Sequence, residues 1–125
     1  MTTAVATSPE DLAALFVRHF TEGDLDALAA LYTDDAIFVV APGTPVQGRA
    51  AISAALGQMR AAGASIALEL RRVHVAGDTA VLSNTATVSG ITPDGSDVVA
   101  PTTEVMRREG DGSWRYVLDD PFFSA

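Results

Sequence analysis

The chain contains no cysteine and no lysine. The first absence removes disulfides, thiolate nucleophiles and thiolate metal sites, and the second removes Schiff-base chemistry and the lysine of a P-loop. Positive charge of any kind is scarce. Sixteen acidic residues against eight arginines give a formal charge of −8, the wrong sign for a phosphate-backbone binder, so no nucleic-acid partner is expected. His19 and His74 are too far apart, and too poorly accompanied, to supply the three or four ligands of a catalytic zinc; neither a metal site nor a cofactor is expected. The opening "MTTAVATSPE" has no basic start and no long apolar run, so it reads as neither a secretory signal nor a membrane span, and a cytoplasmic location is the expectation. The chemistry left to the chain belongs to carboxylates, two histidines, tyrosines and hydroxyls.

What is present fits one domain. The chain has 125 residues, and a 48% hydrophobic content gives it enough apolar material for a core without crosslinks. Residues 1–7 read as a frayed tail and 8–125 as a single domain. Ser8-Pro9-Glu10-Asp11 carries an N-cap residue, a first-turn proline and two acids placed to favour the helix dipole. Leu12, Leu15, Phe16 and Phe20 then recur at helical spacing until Gly23. A second helix is expected to carry Leu25, Leu28 and Leu31-Tyr32, and a third Ile52, Leu56 and Met59 between Arg49 and Ala62. "PGTPVQG" reads as turn-rich. From Ser65 the pattern becomes extended runs broken by Gly-Asp turns, which predict four strands in an antiparallel meander with the helices covering one face.

The stretch "GDLDALAALYTDDA", a following short strand, a Pro-Gly turn and "GRAAISAAL" resemble the start of the nuclear-transport-factor-2-like superfamily, which includes ketosteroid isomerases and SnoaL-like polyketide cyclases. "VVAP" at Val98 to Pro101, Arg107-Arg108, "GDGSW" and the final "DDPF" fall where that superfamily has its later strands. The resemblance implies an α+β, cystatin-like fold: a cone-shaped, strongly curved antiparallel sheet wrapped around three N-terminal helices and enclosing an apolar pocket for a small hydrophobic molecule. It also implies a homodimer paired through the sheet. The isomerase roles are not kept. By the shared motifs the base position falls on Val40, the oxyanion tyrosine on Phe16, the second acid on Thr103 and a further pocket tyrosine on Leu56, while Tyr32 is retained.

Three residues remain as catalytic candidates. Alternation sets Asp119 on one face of the last strand with Val117 and Arg115, and the resemblance to the isomerase strands implies that this is the cavity side; an apolar surrounding disfavours its ionised form and suits it to acid or base work. The bland alternative is a strand-end acid paired with arginine. His19, three residues beyond Phe16, is a candidate proton shuttle, against the commoner role of a packed histidine. Tyr32 would assist. The expected pocket wall is Phe16, Phe20, Val40, Leu56, Met59, Thr85, Thr103 and Val117, with Glu104 pointing outward. Asp34 and Asp35 are expected to be structural, meeting turn amides or Arg49. These residues fit a cofactor-free isomerase, cyclase or hydrolase acting on a hydrophobic oxygenated metabolite, or else a non-catalytic binding or dimeric interaction module.

Overall fold

The computed structural model describes residues 5–123. Among them there are three helices, α1 (Pro9–Glu22), α2 (Leu25–Ala29) and α3 (Arg49–Ala61), and seven strands: β1 (Tyr32–Ala41), β2 (Thr44–Gln47), β3 (Ser65–Ala76), β4 (Thr79–Ser89), β5 (Val98–Pro101), β6 (Thr103–Arg108) and β7 (Trp114–Asp120). The strands form one curved, unclosed sheet in the order β2-β1-β7-β6-β4-β3, with β5 also on β4. All pairs are antiparallel except β1 with β7, which run parallel. The helices lie on one face, and the core gathers between them and the sheet around Leu12, Phe16, Leu28, Tyr32, Ile52, Leu56, Leu82 and Met106.

The helix signals act as expected at α1. The Ser8 side chain accepts the Asp11 N–H, and Gly23 ends the helix with a left-handed φ of 75°. The second helix is shorter than its apolar spacing suggests. It stops at Ala29, and Tyr32 begins β1 rather than ending α2. Asp24 caps α2 through the Ala27 N–H, but so short a helix gains little from its own hydrogen bonds, and Leu31 and Tyr32 are buried from the turn and the start of β1 instead. The supposed turn segment "PGTPVQG" contains β2, which hairpins back on β1. Part of the expected tail is not frayed: Ala6 is buried and bridges to Trp114, whereas residues 1–4 lie outside those described.

The third long strand divides at Thr102 into β5 and β6, yet both halves hold one register on β4, with Val88 opposite Val98 and Leu82 opposite Glu104. β3 and β7 each carry one extra residue. The ladder shifts between Leu70 and Arg72 on β3, and Met106 faces Tyr116 while Val105 faces Leu118, leaving Val117 as a bulge on β7.

One glycine is needed for close approach. Gly90 has φ +82°, and a Cβ there would lie 2.3 Å from the Gly63 carbonyl oxygen. Gly90→Ala is therefore expected to destabilise the fold by more than ~1 kcal/mol, read as a lower urea midpoint with an unchanged slope. A midpoint equal to that of the parent chain would contradict this contact.

Candidate active site

A cavity of about 80 Å³ lies between the helices and the sheet. Phe16 of α1 and Leu56 and Met59 of α3 form its helical side; Phe38, Ile66, Leu68, Ala86 and Val88 form most of the sheet side. Polar groups enter from one edge, where Thr102, Glu104, Tyr116 and Asp119 also line the wall. No arginine or histidine lines it among the described residues.

The bulge at Val117 builds this edge. In a regular strand Tyr116 and Asp119, three residues apart, point to opposite faces. The extra residue resets the alternation, so both enter the cavity, and the ladder brings Asp119 opposite Glu104 on β6. Cross-strand neighbours of this kind have Cβ atoms roughly 5 Å apart, so two carboxyl groups share one apolar corner.

Their surroundings differ. Asp119 is buried, and its Oδ2 accepts the Tyr32 hydroxyl proton at 2.6 Å. Burial pushes its carboxyl up to about 6, while the hydrogen bond from Tyr32 opposes the shift. Glu104 is buried as well. Its Oε1 accepts from Asn84 Nδ2 at 3.1 Å and from Thr102 Oγ1 at 2.9 Å, and its Oε2 is buried without a partner. Burial, and then the Asp119 charge, push Glu104 up to about 8. The two groups titrate as a pair, and near neutral pH they hold one proton between them.

Both tyrosines stay protonated. Burial and the Asp119 charge raise Tyr32 and Tyr116 well above the ordinary phenol range. Tyr32 is committed to Asp119, whereas the Tyr116 hydroxyl makes no hydrogen bond among the described residues and its ring lines the cavity. The rings pack on each other, with centroids 5.1 Å apart, and Phe16 meets Tyr116 edge-on at 6.4 Å.

Of the residues expected from sequence, Asp119, Tyr32, Phe16, Leu56 and Met59 come together here, Tyr32 reaching the cavity wall through Asp119. His19 does not. It is buried on α1, but the 300° turn from Phe16 carries it aside from the cavity wall; neither ring nitrogen has a hydrogen-bond partner, and Nδ1 lies 3.9 Å from Glu22. Phe20 stacks behind Phe16, and Val40 packs on the core beyond Phe38. Thr85, Thr103 and Val117 are not in the wall either. Thr85 and Thr103 fail together: because β4 and β6 are locked in register, one choice of phase turns out both, and the inward phase is Leu82, Asn84, Ala86 and Val88 with Thr102, Glu104 and Met106. Val117 is the bulge itself.

Sequence reasoning thus placed Glu104 outside and passed over Tyr116 and Asn84. A signal existed. Leu82, Ala86 and Val88 make a more apolar face than Ser83, Thr85 and Thr87, and Glu104 belongs to the phase of Leu82. Asp34 pairs with Arg49 at 2.7 Å, the structural role expected for it.

A curved sheet folded over three helices, with a small apolar cavity whose polar groups stand at one edge, defines an α+β fold of the NTF2-like, cystatin-like class. The model of the SnoaL-like domain matches residues 13–117, and the chain belongs to that family. Solved structures agree on the fold. An NTF2-like protein with a cystatin-like fold from Novosphingobium aromaticivorans is 26% identical, with TM-score 0.73, covering 92% of this chain and 80% of that one. A candidate calcium/calmodulin-dependent protein kinase type II association domain from Thiobacillus denitrificans is 24% identical, with TM-score 0.77, over 94% and 95% of the two chains. A candidate dehydratase of the NTF2-like family from Streptomyces avermitilis is 22% identical, with TM-score 0.69, over 89% and 90%. No curated protein matches the chain in sequence. Among the described residues no helix is long and apolar enough to cross a membrane.

Proposed function

We propose that the chain is a cofactor-independent enzyme that moves a proton next to the carbonyl of a neutral, hydrophobic small molecule, in an isomerisation or a dehydration. The observation that carries this reading is the buried Glu104–Asp119 pair, cross-strand neighbours at one edge of the cavity with different hydrogen-bond partners; in this reading the proton they hold at neutral pH sits on Glu104 and Asp119 is ionised. Asp119, held through Oδ2 by Tyr32, offers Oδ1 to the substrate C–H. The C–H bond breaks, the proton goes to Oδ1, and the electron pair moves to the carbonyl oxygen. Protonated Glu104 and the Tyr116 hydroxyl donate to that oxygen as it becomes an enolate, and in a dry site such donors carry much of the rate enhancement. An isomerase then returns the proton from Asp119 to another carbon; in a dehydratase the enolate electron pair forms the carbon–carbon double bond and the β-hydroxyl leaves with the Asp119 proton as water. The Streptomyces avermitilis neighbour, described as a candidate dehydratase, is in keeping with the second.

The wall also selects charge. With Asp119 ionised and no cationic side chain in the lining, an anionic ligand meets uncompensated repulsion in an apolar cavity. Cyclohexanone is therefore expected to bind at pH 7 at least tenfold more tightly than cyclohexanecarboxylate, as read by ligand-observed NMR. Tighter binding of the carboxylate contradicts the proposed class. The cavity is about half the ~150 Å³ that accepts benzene, so lining side chains such as Met59 or Phe38 must move to admit a ring of the size of cyclohexanone.

A homodimer through the outer sheet face belongs to the same reading. Val81 and Val99 stand exposed there at 44% and 61%. Light scattering coupled to size exclusion tests it, and a monomer at micromolar concentration counts against it.

A further inference from the structure

The two oxygens of Glu104 are not equivalent, and the reason lies on neighbouring strands. Asn84 stands on β4 and Thr102 at the junction of β5 and β6, directly across the ladder from it. Their backbones bond to one another, the Thr102 N–H donating to the Asn84 carbonyl at 2.8 Å. The Asn84 N–H donates to Thr102 Oγ1 at 3.1 Å, which fills an acceptor site on the hydroxyl and leaves its single proton for Glu104. That proton goes to Oε1 at 2.9 Å; the alternative acceptor, the Asn84 carbonyl, is 3.4 Å away. The Asn84 amide donates to the same Oε1.

Two donors on one oxygen fix the tautomer of a neutral carboxyl group. An oxygen that accepts twice acts as the carbonyl oxygen, so the acidic proton belongs on the other one, Oε2, which is buried and has no partner. We propose that Asn84 and Thr102 are positioning residues that hold the Glu104 proton on Oε2 and present it to the ligand's carbonyl oxygen. This rests on the acid–base reading above and deepens it: Asn84 from behind the cavity wall, and Thr102 from within it, act on the proton through Glu104. Without them the carboxyl group turns freely about its last torsion, and the donor is shared between two directions.

The electrostatics agree in sign. Hydrogen bonds from Thr102 and Asn84 oppose the upward push of burial on Glu104, so removing either lets its titration move further up. The test uses the whole chain with carbon-13 in its glutamate side-chain carboxyls. Thr102→Val, which keeps the shape and removes the hydroxyl, is expected to raise the Glu104 midpoint by about one pH unit, and Thr102→Ser to restore it. Asn84→Leu is expected to shift it the same way and serves where the threonine variant does not fold. A midpoint that stays in place or falls in a folded variant overturns the proposal. The second measurement uses cyclohexanone labelled at its carbonyl carbon. Its bound resonance moves downfield on accepting the Glu104 proton, and that displacement is expected to shrink by half or more in Thr102→Val and to return in Thr102→Ser. An undiminished displacement also overturns the positioning role. If the titration shifts as expected but the ketone does not bind, the proton placement stands and the carbonyl-substrate reading falls.

Discussion

Asp119→Asn is expected to abolish proton exchange at carbon while leaving the fold and ketone binding in place. The amide matches the carboxyl in size and can still accept the Tyr32 hydroxyl, so the 2.6 Å contact that anchors the side chain has a replacement. What is lost is the only ionised base at the cavity edge. A positioned general base contributes roughly 10²- to 10⁴-fold, and a loss of that size is expected in the deuterium exchange of the cyclohexanone α-hydrogens in heavy water. Exchange by the parent chain should be greatest between about pH 6 and about pH 8, where Asp119 has lost its proton and Glu104 has kept its own. Asp119→Asn exchanging at the parent rate would remove Asp119 from the chemistry. A parent rate that rises without limit above pH 8 would remove protonated Glu104.

The second large effect concerns stability. Glu104 titrates at about 8 in the fold against an ordinary 4.5, and Asp119 at about 6 against 3.8. Both are raised because burial disfavours their charge, so across these windows the native state holds more protons than the unfolded chain. Stability is then fully present below the ordinary values and is lost as pH rises through the folded ones, at ~1.4 kcal/mol per pH unit for each excess proton. For Glu104 the fall ends near pH 8, and its sum is on the order of 5 kcal/mol. Glu104→Gln has no charge to bury, and its carbonyl oxygen can keep the two donors that now meet Oε1. The variant should therefore lose the slope between pH 6 and 8 and be the more stable protein at pH 8.5, by urea unfolding across the range. A parent chain at least as stable as the variant at pH 8.5 would mean that Glu104 is not buried as a neutral acid.

The fold was largely legible because its signals are local and agree with one another. Ser8, Pro9 and Gly23 mark the ends of α1, the Leu-Phe spacing marks its face, and the Gly-Asp turns divide the long strands. The site was half legible. Asp119 and Tyr32 could be singled out through the resemblance, which puts the one on the cavity side of the last strand and retains the other, but what brings them together is a contact between residues 87 positions apart. Glu104 was missed because alternation offers two phases and a one-residue offset exchanges them. Thr103, Thr85 and Glu104 are a single misreading of phase on two strands that share a register. His19 shows the reverse error. Its chemistry suits a shuttle, yet a side chain on the buried side of a helix still misses the cavity when it stands 60° from the residue that lines it.

The extra residue at Val117 has a consequence for reading relatives of this chain. In a related strand that keeps two residues between the tyrosine and the aspartate but pairs without the bulge, Trp114 and Tyr116 would stay in the core while plain alternation beyond them would swing Asp119 to the opposite side of the sheet. Such a chain would keep its aromatic interior, its fold and its aspartate, and would have no base facing its cavity. Presence of the acid in a related sequence is therefore not the mark of the site. The mark is the number of residues between it and the buried tyrosine together with the pairing of the strand, since an even count between the two lets both look inward only when the strand is broken by a bulge.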